Sequence, residues 1–307
     1  MKIGYPCINL TLDCRSSRTF RLKSYSEERL IETIKNNLNC LLKILEFNNY
    51  NRLLFFRITS DLIPFASHPV MKFNWQEYFK SQFKELGAYI KKNSMRITMH
   101  PGQYTVINSK NDIVVQNSLK ELEYHVEVLE LLGLDSDAKI ITHVGGVYGD
   151  KKKSIKRFIR RYEELNESTK NHYVIENDEK NYQLKDCLLI NESTDIPIVF
   201  DSYHHDCYNQ GEPLERAVEF VIKTWKKSDG LPIVHYSSEH PDKGKYRHAN
   251  EIDINHFKSF IIKTSNFNFD LMLEIKNKEK SALVAMKYLI DDIRFNQNLV
   301  KFPNNKR

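Results

Sequence analysis

Glycine and proline are scarce in this chain, at 10 and 9 of 307 residues, which argues against long flexible linkers and low-complexity segments. No apolar run approaches the roughly 18 residues that a membrane-crossing helix needs. The first ten residues open as a strand and lack the long apolar core of a secretory signal. The cysteines Cys7, Cys14, Cys40, Cys187 and Cys207 are odd in number and scattered, and no pair has zinc-ribbon or thioredoxin spacing. Five reduced thiols are the simple reading, which points to a soluble protein of a reducing, intracellular compartment: cytoplasm or nucleoid, or a nucleus. Also missing is a glycine-rich turn after the first strand, where Cys7-Ile8-Asn9-Leu10 stands instead. An open, doubly wound nucleotide-binding sheet is disfavoured on that ground.

What is present describes an ordinary globular protein with a sizeable core: 41% hydrophobic and 28% charged residues. A formal charge of +6 permits a nucleic-acid partner without demanding one. The basic residues are unevenly placed. Lys151, Lys152, Lys153, Lys156, Arg157, Arg160 and Arg161 fall in one stretch, and Lys243, Lys245 and Arg247 in another. A solvated helix face accounts for the first run as readily as a ligand does.

Short apolar runs alternate with longer helical patterns. The expected strands are residues 2–9, 52–58, 96–100, 139–144, 172–176, 197–201, 232–236 and 269–275, several rich in Ile, Val and Phe as strands buried on both faces must be. Between them, apolar residues at three- and four-residue spacing predict helices at 27–47, 75–92, 114–132, 152–165, 212–226, 255–264 and 280–294, with a weak one at 183–191. Ser26 is positioned to cap the first. Eight strand–helix units of this length close a parallel α/β barrel of the TIM (β/α)8 kind. A single domain spanning residues 1–307 is expected, with no internal boundary.

Active sites of such barrels lie at the C-terminal ends of the strands. Six consecutive strands deliver a histidine or carboxylate there: His100, His143, Glu176, Asp201 with His204, His235 with His248 in the loop behind it, and Glu274. Each alone has an ordinary structural explanation. Five histidines and three carboxylates converging on one mouth would be costly unless metal ions or hydrogen bonds satisfied them. Imidazole and carboxylate without thiolate suit zinc, manganese or iron(II). Eight ligands exceed the needs of one ion, whereas two or three ions bridged by Glu176 or Asp201 would use them fully. Clusters of that kind hydrolyse phosphate esters, and Lys245, Arg247, Lys276 and Lys278 around the rim then read as phosphate contacts. The residues by themselves reach as far as a metal-dependent phosphoesterase acting on nucleic acid.

At these same positions the sequence resembles the UV damage endonuclease family, over nearly the whole chain. The similar segments are Gly4-Tyr5-Pro6-Cys7-Ile8-Asn9, Arg57-Ile58-Thr59-Ser60-Asp61-Leu62, His100-Pro101-Gly102-Gln103-Tyr104, Thr142-His143-Val144-Gly145-Gly146, Glu176-Asn177-Asp178, Asp201-Ser202-Tyr203-His204, His235-Tyr236-Ser237-Ser238 and Met272-Leu273-Glu274-Ile275-Lys276-Asn277-Lys278-Glu279. The resemblance implies a barrel related to endonuclease IV, two or three divalent ions with manganese foremost and zinc or magnesium as alternatives, and nicking of damaged double-stranded DNA. Incision would fall immediately 5′ of pyrimidine dimers, 6-4 photoproducts and abasic sites, leaving a 3′-hydroxyl and a 5′-phosphate. It implies His100, His143, Glu176, Asp201, His204, His235, His248 and Glu274 as ligands, with Glu176, Asp201, His235 and Glu274 carrying catalysis. Gln103 and Tyr104 would wedge into the duplex, Tyr5 and Asn9 would line the lesion pocket, and Arg247 and Lys276 would contact DNA. A monomer is expected, with no membrane association.

Two positions depart from the family. Ile233 stands where a lysine open to carboxylation is common, so no carbamate can form there. Ala249-Asn250 follows His248 where an acidic residue is usual, which weakens a third metal site. Among rivals, an apurinic endonuclease of the endonuclease IV type is disfavoured by Tyr246-Arg247-His248, where that family has Asp-x-His. A sugar isomerase would hold its metals mostly with carboxylates, and a non-catalytic damage-binding protein would not need an intact ligand set.

Overall fold

The computed structural model describes residues 1–296; residues 297–307, the end of the expected single domain, lie outside the described residues. Eight strands close into a parallel barrel: β1 (Ile3–Pro6), β2 (Phe55–Ile58), β3 (Arg96–Met99), β4 (Lys139–His143), β5 (Tyr173–Glu176), β6 (Ile198–Asp201), β7 (Ile233–Tyr236) and β10 (Asp270–Leu273). An antiparallel hairpin, β8 (Glu239–His240) and β9 (Gly244–His248), rises from the loop after β7. The helices between strands are α1 (Glu27–Tyr50), α2 (Trp75–Tyr78), α3 (Lys80–Lys92), α4 (Asp112–Leu131), α5 (Lys151–Glu163), α6 (Glu167–His172), α7 (Leu184–Thr194), α8 (Ser202–Cys207), α9 (Leu214–Ile222), α10 (Ile254–Lys263), α11 (Glu279–Lys287) and α12 (Ile293–Asn296). Among the described residues no helix is long and apolar enough to cross a membrane.

The barrel interior is filled in layers, and that layering positions the site. Phe55, Ile141, Val174, Val199, Ile233 and Met272 form one fully buried apolar cluster, each on a different strand. Side chains two residues apart on a strand share a face. Two residues further along, the same six strands therefore present Arg57, His143, Glu176, Asp201, His235 and Glu274 at the mouth. Below the apolar layer, Arg96 pairs with Asp270 at 2.9 Å and Lys139 with Asp229 at 2.7 Å, closing the N-terminal end. The strand register also matters: His143 lies opposite Glu176 and Asp201 opposite His235.

Several expected boundaries shift, each for a local reason. The first strand ends at Pro6 because Cys7 adopts φ 67°, a left-handed turn that starts the long β1–α1 loop. Ser26 does cap α1, accepting from the Arg29 N–H at 3.2 Å. The helix expected over 75–92 breaks at Phe79, whose backbone (φ −99°, ψ 7°) ends α2 before α3 begins. The pattern over 280–294 likewise divides into α11 and α12. The residues after Asp201 form a short helix, α8, with the Asp201 side chain as its N-cap.

The expectation of five reduced thiols is corrected at one pair. Cys14 and Cys40, 26 residues apart, form a disulfide that ties the β1–α1 loop to α1, while Cys7, Cys187 and Cys207 are free. Loop and helix meet only because the loop folds back over the barrel, so spacing could not reveal the pair. Cysteine usage therefore no longer argues for a reducing compartment.

Candidate metal centre

Two groups of donor atoms lie at the barrel mouth. His100, His143 and Glu176 each place a ligand atom within 4.8 Å of the others, and so do Glu176, Asp201, His235 and Glu274. Glu176 belongs to both. Its Oε2 is 3.3 Å from His100 Nε2 and 3.9 Å from His143 Nε2, and its Oε1 is 2.6 Å from His235 Nδ1. A buried carboxylate so surrounded is placed to join two sites. His204 Nδ1 is 3.8 Å from Asp201 Oδ2 and 3.9 Å from Glu176 Oε1, and the His248 ring packs edge-on against His204 with centroids 5.8 Å apart. All eight expected ligands thus meet in one patch.

The backbone orients the imidazoles. His100 Nδ1–H donates to the Pro101 carbonyl at 2.9 Å and His204 Nδ1–H to the Asn177 carbonyl at 3.0 Å, which frees Nε2 of each ring as a ligand. Asn177 also clamps the ends of β5 and β6 together, donating to the Asp201 carbonyl at 3.0 Å and accepting from the Asp201 N–H at 2.9 Å. Glu176 and Asp201 are held by that clamp.

The electrostatics fit a cation. Burial alone would raise the Glu176 carboxyl, yet His235, His100 and His143 hold it well below the ordinary range. Burial, with Glu176 and Glu274 as like charges, raises Asp201. Burial opposes ionisation of Glu274 too, but Arg57 and His235 hold its carboxyl low. Burial disfavours the charged form of His204, and the surrounding carboxylates, Asp201 first, nevertheless push its pKa up to about 9. Asp201 Oδ2, His143 Nδ1 and His248 Nδ1 are buried without a hydrogen-bond partner. Orphaned donors and acceptors of this sort are costly unless something binds there. An imidazole–carboxylate set with spare lone pairs is what a hard-to-borderline divalent ion takes.

Elsewhere on the rim, Tyr104 is 82% exposed on the loop after β3, beside Gln103, which is also exposed. A cleft of about 430 Å³ runs between that loop and the turn after β5, lined by His100, Gln103, His143, Tyr148 and Glu179. Arg247 and Lys276 are exposed. Tyr5 stands apart from the mouth. Its ring is fully buried against Phe56, and its hydroxyl donates to Asn48 Oδ1 at 2.6 Å and accepts from Asn9 Nδ2 at 2.8 Å. Asn9, also buried, accepts from the Thr11 and Leu12 N–H groups and so shapes its loop. Ile233 sits in the apolar layer directly below His235, sealed by its neighbours. Sequence reasoning passed over Arg57 as a member of the centre, because a lone arginine in an apolar strand carries no metal-site signature.

A closed parallel barrel with a shared histidine–carboxylate cluster at the C-terminal ends of its strands defines a TIM-barrel enzyme suited to divalent metal. Endonuclease IV from Thermus thermophilus shares that fold at a TM-score of 0.53 and 13% identity, covering 85% of this chain and 95% of that one. The crystal structure of SacUVDE is far more similar: TM-score 0.90, 40% identity, covering 98% of this chain and 100% of that one. A UV DNA damage endonuclease of Clostridium perfringens (strain 13 / Type A) is 43% identical over 291 residues, 94% of this chain and 71% of that protein. The family model described as UV-endonuclease UvdE matches residues 1–302. The chain belongs to the UV-endonuclease UvdE family and is a metal-dependent endonuclease of UV-damaged DNA.

Proposed function

We propose that this enzyme nicks duplex DNA immediately 5′ of pyrimidine dimers, 6-4 photoproducts and abasic sites, leaving a 3′-hydroxyl and a 5′-phosphate. It would act inside the cell as a monomer and as one domain over residues 1–307. The observation that carries the reading is the double membership of Glu176, which makes one centre of two donor groups. His100, His143, Glu176, Asp201, His204, His235, His248 and Glu274 would hold two or three divalent ions, manganese foremost, with zinc or magnesium able to substitute. When bound, such ions lower the pKa of a coordinated water and neutralise charge on the attacked phosphate.

The chain's own residues do the rest. Glu176, Asp201, His235 and Glu274 would hold the ions over which the reacting phosphate lies, and their burial keeps bulk water from beneath it. The exposed Gln103 and Tyr104 are placed to enter the duplex at the lesion. A damaged pair stacks poorly, so opening it costs less than the few kcal/mol an intact nucleotide requires, and an aromatic and an amide can replace what is lost. Arg247 and Lys276 supply phosphate contacts from the rim. Asn9 shapes the lesion side through its loop, and Tyr5 supports Asn9 from behind through the hydrogen bond between them.

The test is nicking of irradiated against unirradiated plasmid, with and without EDTA. Chelation should abolish nicking and manganese should restore it. Glu176→Ala and Asp201→Ala should each lower the rate by about a thousandfold or more, since several kcal/mol of charge stabilisation go with a bridging ligand. Full nicking by verified metal-free enzyme would sink the proposal, as would equal nicking of irradiated and intact DNA.

A further inference from the structure

The rings of His100, His143, His204 and His248 follow one another along the mouth, with successive centroids 5.5, 5.5 and 5.8 Å apart. At the His204–His248 end the carboxylates considered so far are on the wrong side. Glu176 and Asp201 lie beside Nδ1 of His204, and Nδ1 is committed to the Asn177 carbonyl. The nitrogen with a lone pair to give is Nε2. The carboxylate on that side is Glu179, whose Oε2 is 3.9 Å away. A gap of that size suits two ligands that share an ion with bonds of about 2 Å each.

Glu179 is held in place rather than waving in solvent. It rides on a turn closed by Asp178, which accepts from the N–H groups of Lys180, Asn181 and Tyr182 and donates its own N–H to the Tyr182 carbonyl at 2.8 Å. Its side chain is 27% exposed and lines the cleft. The neighbouring Lys180 lies over the Tyr246 ring, 5.0 Å from its centroid, and so ties this turn to the hairpin strand that carries His248. Buried Nδ1 of His248 has no hydrogen-bond partner there. The alternative employment for Glu179 is a 3.4 Å pair between its Oε1 and Lys180, an exposed contact between chain neighbours of the kind that contributes little.

We infer that Glu179 is itself a metal ligand, holding a divalent ion at the outer end of the cluster together with Nε2 of His204 and with His248. The inference rests on the multi-metal reading proposed above. It explains how this end of the cluster acquires a carboxylate, and it adds a ninth residue to the ligand set.

The experiment is manganese binding by the full-length enzyme, stripped with EDTA and titrated with Mn2+ alone, with ions per chain counted by elemental analysis and affinities read by calorimetry. Compared with wild type, Glu179→Gln should lose one ion per chain, or bind it at least about tenfold more weakly. His248→Ala should lose the same ion, and the double variant no further one. The metal-free melting temperature of Glu179→Gln should stay close to that of wild type, because its ion pairs among the described residues are with an exposed lysine neighbour and a histidine of the site. Wild-type stoichiometry and affinity in Glu179→Gln would overturn the inference while leaving the cluster intact. Loss of the ion together with a lower metal-free melting temperature would also overturn it, by giving Glu179 a structural role. Failure of wild type to bind manganese, or undiminished binding by Glu176→Ala, would remove the cluster reading and this inference with it.

Discussion

Nη2 of Arg57 lies 2.6 Å from Oε1 of Glu274 and 3.0 Å from Nε2 of His235, so a buried guanidinium stands within the same layer as the histidine–carboxylate cluster. Burial opposes its charge, but the carboxylates of Glu274 and Glu176 sustain it. This fixed cation keeps two neighbouring carboxylates, Glu274 and Glu176, tolerable before any ion arrives.

Removing it should expose that role. Arg57→Met leaves Glu274 and Glu176 without their shared counter-charge, and breaking a buried pair from one side costs about 3–5 kcal/mol. Urea denaturation in EDTA is the measurement. Adding Glu274→Gln to Arg57→Met should recover part of the loss, since the stranded charge is then gone. A cost below about 1 kcal/mol for Arg57→Met would show that the cluster does not lean on this pair.

A second prediction concerns the exposed aromatic of the β3 loop. Stacking of a base on an aromatic ring is worth about 1–3 kcal/mol, so Tyr104→Ala should weaken binding to damaged duplex by roughly ten- to a hundredfold. Metal content and affinity for undamaged duplex should hold, since the latter depends on phosphate contacts. Binding to matched damaged and undamaged duplexes, with metal counted in parallel, decides it. An equal loss on both duplexes means a general DNA contact, and the wedge must then be abandoned.

His125 gives a pH signature one step removed from the cluster, since its Ser60 partner also donates to the His100 carbonyl. It is buried on α4, with Nδ1 2.6 Å from the Glu121 carbonyl and Nε2 3.0 Å from Ser60 Oγ, and burial lowers its pKa to about 4. The unfolded value is near 6.5, so the proton prefers the unfolded chain. Its contribution is whole above pH 6.5 and is lost as the pH falls towards 4, by up to about 1.4 kcal/mol per pH unit. Below pH 4 the loss stops growing. Stability measured at several pH values for wild type and His125→Gln should diverge over that window. Parallel profiles would falsify the assignment.

The Cys14–Cys40 bond closes a 26-residue separation, for which loop-closure entropy gives about 3.5 kcal/mol of stabilisation. The Cys14→Ser/Cys40→Ser variant should unfold at correspondingly lower denaturant, and wild type in dithiothreitol should match it. If reduction leaves the midpoint unchanged, the bond is not formed in solution.

The division between what was legible and what was not follows from the range of the interactions. The alternation of apolar runs with helical stretches is a local signal, and parallel strands buried on both faces write it strongly, so the barrel and its eight strands could be read directly. The location of such barrels' active sites at the C-terminal ends of their strands extended the prediction to the site. Once strand ends were located, His100, His143, Glu176, Asp201, His235 and Glu274 had to share a mouth, because a closed barrel leaves them nowhere else to point.

Arg57 was not legible as a neighbour of the cluster, and neither was the disulfide. Arg57 sits in a strand whose pattern reads as core, and only closure of the barrel brings it beside Glu274. Cys14 meets Cys40 only because a long loop folds back on α1. Tyr5 illustrates the same limit from the other side. The family resemblance places it at the lesion pocket, but alternation along β1 puts Gly4 and Pro6 on the inner face beside Phe55 and Arg57 and turns the Tyr5 ring outward to Asn48. Sequence alone determined which chemical groups this protein owns and the strand ends that bear them, because hydrophobic periodicity is local. Which groups face one another, which histidine nitrogen is left free and which charge lies beside the cluster were decided by tertiary structure, because those depend on contacts between residues far apart in the chain.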